Sequence, residues 1–347
     1  MRRHILLVWA VSLLAVPPVF ADMSYEVIGL GTLGGSLSRA SDINNSNQVV
    51  GAAKTINDLY HAFLWEDGVI TDLGTLNRGT LPNNSGASAV NDNGQIVGSN
   101  TVENDTRGFL YDQGQMYRLA SKGTPTAINN SGVIVGYSDD SAYDGRVAVT
   151  FQGLQVIDLG IGRDSEAHAI NAGGQIVGWV PRQGYHQGFL YDDGLVTYFG
   201  PSLSEHTYAY GINNAGQIVG AYDGGAFLYD DGVMTPLGLI GCHAMDINNE
   251  GQIVGYGPGY GAYLYDDGIV TSLNPLPGYQ YSRAYAINDN GWIIGYSGGL
   301  PEANGAFQAT LWKPIVEQPE PVPLPGAFLL GSIGLGLSGW FCRKWDC

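Results

Sequence analysis

Residues 211–238 read GINNAGQIVGAYDGGAFLYDDGVMTPLG, and this stretch is the unit from which the chain is built. Ile212 leads into a turn, Asn213-Asn214-Ala215-Gly216, and then into the short apolar run Gln217-Ile218-Val219-Gly220. A second run, Ala226-Phe227-Leu228-Tyr229, is followed by the turn Asp230-Asp231-Gly232 and a third run that closes on Leu237-Gly238. The runs are four to six residues long, rich in Ile, Val, Phe and Tyr, and bounded by Gly-containing turns. They read as strands rather than helices.

The pattern recurs seven times. Its Asn markers are Asn44, Asn91, Asn129, Asn171, Asn213, Asn248 and Asn288, at spacings of 47, 38, 42, 42, 35 and 40 residues. A period of about 41 is that of a four-stranded propeller blade. In the first copy Asn47 replaces the turn glycine, a position where Asn also tolerates positive φ. The second run recurs as Ala62–Trp65, Gly108–Tyr111, Ala148–Phe151, Gly188–Tyr191, Ala226–Tyr229, Ala262–Tyr265 and Ala309–Trp312. Asp-Gly pairs at 67–68, 193–194, 231–232 and 267–268 favour tight hairpins, because both residues accept positive φ.

These observations predict an all-β fold, a seven-bladed propeller of four-stranded blades. The segment before Ile-Asn is innermost, and the run ending in Leu-Gly is outermost. The last repeat lacks its fourth strand because Pro314 and a Pro-rich tail follow, whereas Tyr25–Gly31 matches a fourth strand with no first three before it. The N-terminal strand is therefore expected to complete the last blade and close the ring, which removes the raw ends of a linear stack.

Composition narrows the functional classes. The net charge of −17 disfavours nucleic acid and anionic membrane surfaces, since phosphate binding needs clustered Lys and Arg. The 52 Gly recur at fixed places in the repeats and mark turns, not disorder. Arg2 and Arg3, the apolar Ile5–Val16 and the small-residue site Val19-Phe20-Ala21 read as a secretory leader over 1–21, cleaved between Ala21 and Asp22. Only Cys242, Cys342 and Cys347 are present, so an exported body without internal disulfides must rest on its core. The expected domains are the leader, the repeat body 22–313, a Pro-rich linker 314–325, and a hydrophobic segment with a basic tail, 326–347.

His61-Ala62-Phe63-Leu64-Trp65, followed by Asp72-Leu73-Gly74-Thr75-Leu76, resembles the HAF family of extracellular repeats, as does the recurring Ile-Asn-x-x-Gly-Gln-Ile-Val-Gly motif. The resemblance covers about 25–312 and implies a secreted or surface protein, with no agreed activity. In the tail, PIVEQPEPVPLP (314–325) contains five prolines and two Glu and reads as an extended linker. Gly326–Phe341 adds 16 mostly apolar or small residues, followed by Arg343-Lys344. A helix of that length spans about 24 Å, short for a hydrocarbon core of about 30 Å. This order of segments resembles the PEP-CTERM sorting signal in its Val-Pro-Leu-Pro form, here Val322, Pro323, Leu324 and Pro325. The resemblance implies an exosortase-type processing enzyme as partner, transient membrane insertion by the C-terminal segment, and association with exopolysaccharide at the cell surface or matrix.

The search for chemistry yields no catalytic residues, cofactor site or metal site. The carboxylate pairs Asp192-Asp193, Asp230-Asp231 and Asp266-Asp267 occupy the same turn on different blades, so they spread around a rim rather than converging as glycosidase acids do. No spaced calcium loop appears. His61, His168, His186, His206 and His243 show no metal-ligand spacing, and no P-loop follows the Gly-rich 30–35 stretch. The second-to-third strand connections vary most, for example at 99–107, 137–146, 179–187 and 296–306, and binding residues collect where a rigid frame presents variable loops. The candidate ligand-binding residues are Tyr143, Trp179, Arg182, Tyr185, His186, Tyr222, Tyr256 and Tyr260, whose flat rings suit sugar faces. The leading expectation is a non-catalytic surface or matrix protein with a glycan or envelope-protein ligand. Its alternatives are a propeller enzyme acting on extracellular polysaccharide, favoured by two carboxylates converging at the channel mouth, and a structural spacer.

Overall fold

The structure, a computed structural model, describes residues 24–76, 83–102, 105–119, 122–139, 145–200, 205–299 and 307–315. The leader, the Val322–Pro325 motif, the 326–347 segment and Tyr143 lie outside the described residues.

Seven antiparallel four-stranded sheets make up the body. Strands are numbered in chain order, and the innermost ones are β2 (Gly34–Ile43), β6 (Asn83–Val90), β10 (Thr124–Ile128), β14 (Glu166–Ile170), β18 (Thr207–Ile212), β22 (His243–Ile247) and β26 (Tyr281–Ile287). Six blades run inner to outer in chain order. The seventh has the order β26, β27 (Ile293–Gly298), β28 (Phe307–Pro314) and then β1 (Tyr25–Gly29). Val27 pairs with Trp312 and Ile28 with Leu311, so the N-terminal strand closes the last blade as the sequence predicts. One apolar cluster then joins blades 7 and 1, combining Leu30, Ala40, Val49 and Phe63 with Ile294, Ala309 and Leu311.

Runs apolar on both faces are explained by this stacking. Phe63, Phe109, Phe189 and Phe227, each on the third strand of its blade, are fully buried between neighbouring sheets. The turns follow the residue chemistry that announced them. Asn47 takes φ 63°, and Asp193-Gly194 takes 45° and 84°, the left-handed pair of a two-residue hairpin.

Two features go beyond the predicted strand order. Every inner strand carries a β-bulge three residues before its marker Asn, between Ala40 and Asp42 in blade 1 and between Ala209 and Gly211 in blade 5. The bulge pushes the inner backbone against the second strand, and there only glycine fits: a Cβ at Gly220 would run into the Tyr208 carbonyl oxygen. The marker Asn itself is the second feature. Each one is buried and donates from Nδ2 to the backbone carbonyl of the marker Asn in the next blade. Asn288 donates to Asn44 at 2.9 Å, which completes a seven-membered ring of hydrogen bonds around the axis.

Candidate ligand-binding face

The Asn ring forms one mouth of the central channel. Outside it, a second ring, broken between Asn130 and Ala172, links the residues after the markers, as where the Asn214 amide donates to Asn249 Oδ1 at 2.9 Å. The carboxylate pairs lie on this face. The first Asp of each accepts from the Gln of the same blade, as in Gln217 Nε2 to Asp230 at 3.0 Å, and the second adopts the left-handed turn conformation. Their geometry is that of hairpin turns distributed around a rim.

The bulges shape the other end. A bulge re-aims the side chain of its extra residue, and the seven extra residues are Ser41, Ser88, Thr126, His168, Tyr210, Met245 and Tyr285. Those on blades 1–3 are small hydroxyl residues and those on blades 4–7 are large, so the channel has a hydroxyl-lined half and a half lined by rings and a thioether. These seven residues line a cavity of about 370 Å³ together with Asp42 and Asp246.

From the bulges the rings continue outward across blades 4–7. Trp179 Nε1 donates to His168 Nε2 at 3.0 Å and meets His186 edge-on at 4.6 Å. Tyr208 and Tyr210 lie parallel at 6.2 Å, and Tyr210 meets His243 at the same distance. His243 stacks on Tyr256 at 5.3 Å, Tyr256 touches Tyr285 at 5.9 Å, and Tyr285 meets Tyr296 at 5.7 Å. The result is a continuous aromatic belt on the face opposite the Asn ring.

Burial shifts the titration of several belt rings. Burial, and then the Arg283 charge, hold His243 below the usual imidazole value; burial and then His206 do the same for His186. Burial pushes the Tyr210 and Tyr285 phenols up. Cations flank the rings: Arg283 sits 4.5 Å over Tyr256, and Arg39 4.1 Å over Phe307. Arg146 pairs with Glu166, whose carboxylate is raised by burial but drawn below its usual range by His168 and Arg146.

Of the residues proposed from sequence, Trp179, His186 and Tyr256 belong to the belt. Tyr185 packs on His206 at 5.3 Å, and Arg182 covers Tyr198 at 3.9 Å, both on the periphery. Tyr222 packs on the blade core, and Tyr260 meets Tyr263 beside an exposed turn. The expected variable loop at 179–187 is instead a strand hairpin. Arg182 pairs with Tyr185 across Gln183-Gly184, whose φ values of 54° and 90° make a two-residue turn.

Sequence reasoning missed His168, Tyr208, Tyr210, Tyr285 and Arg283, which sit on inner strands rather than loops. It also missed a close cluster: His186 Nδ1 lies 2.9 Å from His206 Nδ1 and 2.8 Å from the Tyr208 hydroxyl. Among the described residues no three His, Cys, Asp or Glu side chains group as metal ligands. Cys242 is buried and free. No family model matches the chain, and no curated protein matches it either.

Proposed function

We propose that this propeller is a non-catalytic binding protein of the bacterial cell surface or extracellular matrix, holding a glycan or an envelope-protein ligand across its aromatic belt. The observation that carries the reading is the belt itself. A run of rings from Trp179 to Tyr285 gathers at one mouth of a rigid channel, with polar edges available for hydrogen bonds. Delivery follows from the resemblances in the sequence: export by the 1–21 leader, cleavage after Ala21, then recognition of Val322–Pro325 by an exosortase-type enzyme while 326–341 inserts transiently in the membrane.

The position of the chain ends supports this arrangement. Ile315 donates its amide to the Ser24 carbonyl at 2.8 Å, and both lie at the Asn-ring end of blade 7. The chain thus leaves the described body on the face opposite the belt. The test is a glycan array probed with the full secreted protein and with Trp179→Ala and Tyr256→Ala variants. Binding that the variants lose supports the reading, and no glycan bound by the parent refutes the glycan ligand. Mass spectrometry of the secreted protein tests delivery, since a mature form that retains Phe341 removes the sorting step.

One observation favours the enzyme alternative. Asp42 and Asp246 both line the channel cavity, and burial raises each to about 7. Against it, each carboxylate already accepts two backbone amides, those of Ile43 and Val90 for Asp42 and of Ile247 and Ile287 for Asp246. Polysaccharide turnover abolished in Asp42→Asn or Asp246→Asn would establish the enzyme.

A further inference from the structure

We propose that the ligand of the belt is an acidic polysaccharide, whose sugar carboxylates are held by Arg39 and Arg283. The inference rests on the glycan reading above and adds the charge of the ligand.

The argument begins with where the cations are. In a chain of net charge −17, carboxylate partners are plentiful. Lys54 takes Asp58, and Arg146 takes Glu166. Arg39 and Arg283 take none among the described residues. Both lie instead near one ring, 5.0 and 5.9 Å from the centroid of Tyr296. Each sits five residues before the marker Asn of its own blade, and blades 1 and 7 are neighbours, so the two guanidiniums stand at one level of the belt-side mouth.

Both charges lie near one ring, and among the described residues neither meets a carboxylate. The rings engage the flat faces of the guanidiniums; Arg283 also bonds to Tyr285, and each fork of five donors keeps an edge for a ligand. A planar carboxylate matches that edge with two parallel hydrogen bonds. Arg283 also borders a groove of about 330 Å³ between blades 6 and 7, whose walls include His243, Tyr256, Pro258 and Tyr281. One sugar ring can lie in this groove while its carboxylate reaches Arg283, and a neighbouring acidic sugar can reach Arg39. Two cations at one mouth suit a chain with sparse charge. A nucleic acid, with a phosphate at every residue, would need a longer basic stripe and would meet Glu166 and the acidic body.

The experiment uses the full secreted protein and three probes: an oligogalacturonate, the same oligomer after carboxyl reduction, and a neutral cello-oligosaccharide. Binding is measured by calorimetry at low and high salt. The expected result is that the oligogalacturonate binds, that carboxyl reduction weakens it about tenfold or more, and that salt weakens it too. An Arg39→Gln/Arg283→Gln variant with unchanged melting should lose the same preference. Equal binding of the acidic and reduced probes overturns the proposal and leaves the glycan reading in place. Preference retained in the folded double variant also overturns it. A parent that binds none of the probes or any other glycan removes both readings.

Discussion

Removing one side chain from the Asn ring should cost far more than removing its exposed neighbour. Asn213 makes four hydrogen bonds through its side chain. Oδ1 accepts the amides of Ala215 and Gln217, at 3.1 and 3.0 Å. Nδ2 donates to the Asn248 carbonyl at 3.1 Å and to Gln217 Oε1 at 2.9 Å. In Asn213→Ala, water can reach the amide of exposed Ala215 and the Gln217 side chain, so those bonds cost roughly 0.5–1.5 kcal/mol each. The bond to the Asn248 carbonyl is buried, and an unsatisfied buried acceptor costs roughly 1–3 kcal/mol. With about 1 kcal/mol more for the Gln217 amide, the total expected is about 5 kcal/mol. Asn214→Ala, one residue later, removes an exposed acceptor for the Ala172 amide and should cost under about 1 kcal/mol. Urea unfolding followed by tryptophan fluorescence reads both, with an unchanged denaturant slope showing that stability alone has moved. If Asn213→Ala unfolds within about 1 kcal/mol of Asn214→Ala, the ring does not contribute as argued.

Three further outcomes follow from the same geometry. Deleting residues 22–31 removes the β1 ladder and the buried Leu30 and should cost several kcal/mol, so a truncated protein melting at the parent temperature would contradict closure. Asp42 and Asp246 are raised from 3.8 to about 7, so the folded state binds protons that the unfolded state releases: their contribution is fully present below about pH 4 and is lost as pH rises through 7. The Asp42→Asn/Asp246→Asn variant should flatten that part of the stability profile, measured by urea unfolding across this range, and an unaltered profile would refute the assignment. Ala172 interrupts the outer ring because it offers no acceptor to the Asn130 amide; Ala172→Asn should add a few tenths to about 1 kcal/mol, and a lower urea midpoint would show that the gap is not a missing bond.

The fold was legible because its signals are local and repeated. Turn residues, strand length and the surplus strand at the N-terminus needed no knowledge of neighbours. The marker Asn located the blades, but its reason was hidden. Its Nδ2 partner lies 35 to 47 residues away between consecutive blades and 244 away where the ring closes, so the role emerges only once the blades are stacked. The belt was legible in part. Trp179 and Tyr256 were found by looking for rings outside the repeating core. His168, Tyr210 and Tyr285 were lost because strict alternation along a strand assigns faces two by two, and a bulge shifts that count by one.

A repeat chain nonetheless contains its own control for such misreadings. Positions occupied by the same residue type in nearly every copy meet a demand common to all blades. The marker Asn closes the ring, the second-strand Gly clears the bulge, and the Asp of the third-strand turn holds a Gln. Positions fixed in place but varied in content have no such shared demand. The bulge position is one: Ser41, Ser88 and Thr126 on one side of the channel, His168, Tyr210, Met245 and Tyr285 on the other. A symmetric frame gains nothing in closure from placing its large side chains on four consecutive blades. That asymmetry, set against seven equivalent backbones, is the physical reason to place a ligand on blades 4–7 rather than at the carboxylate turns.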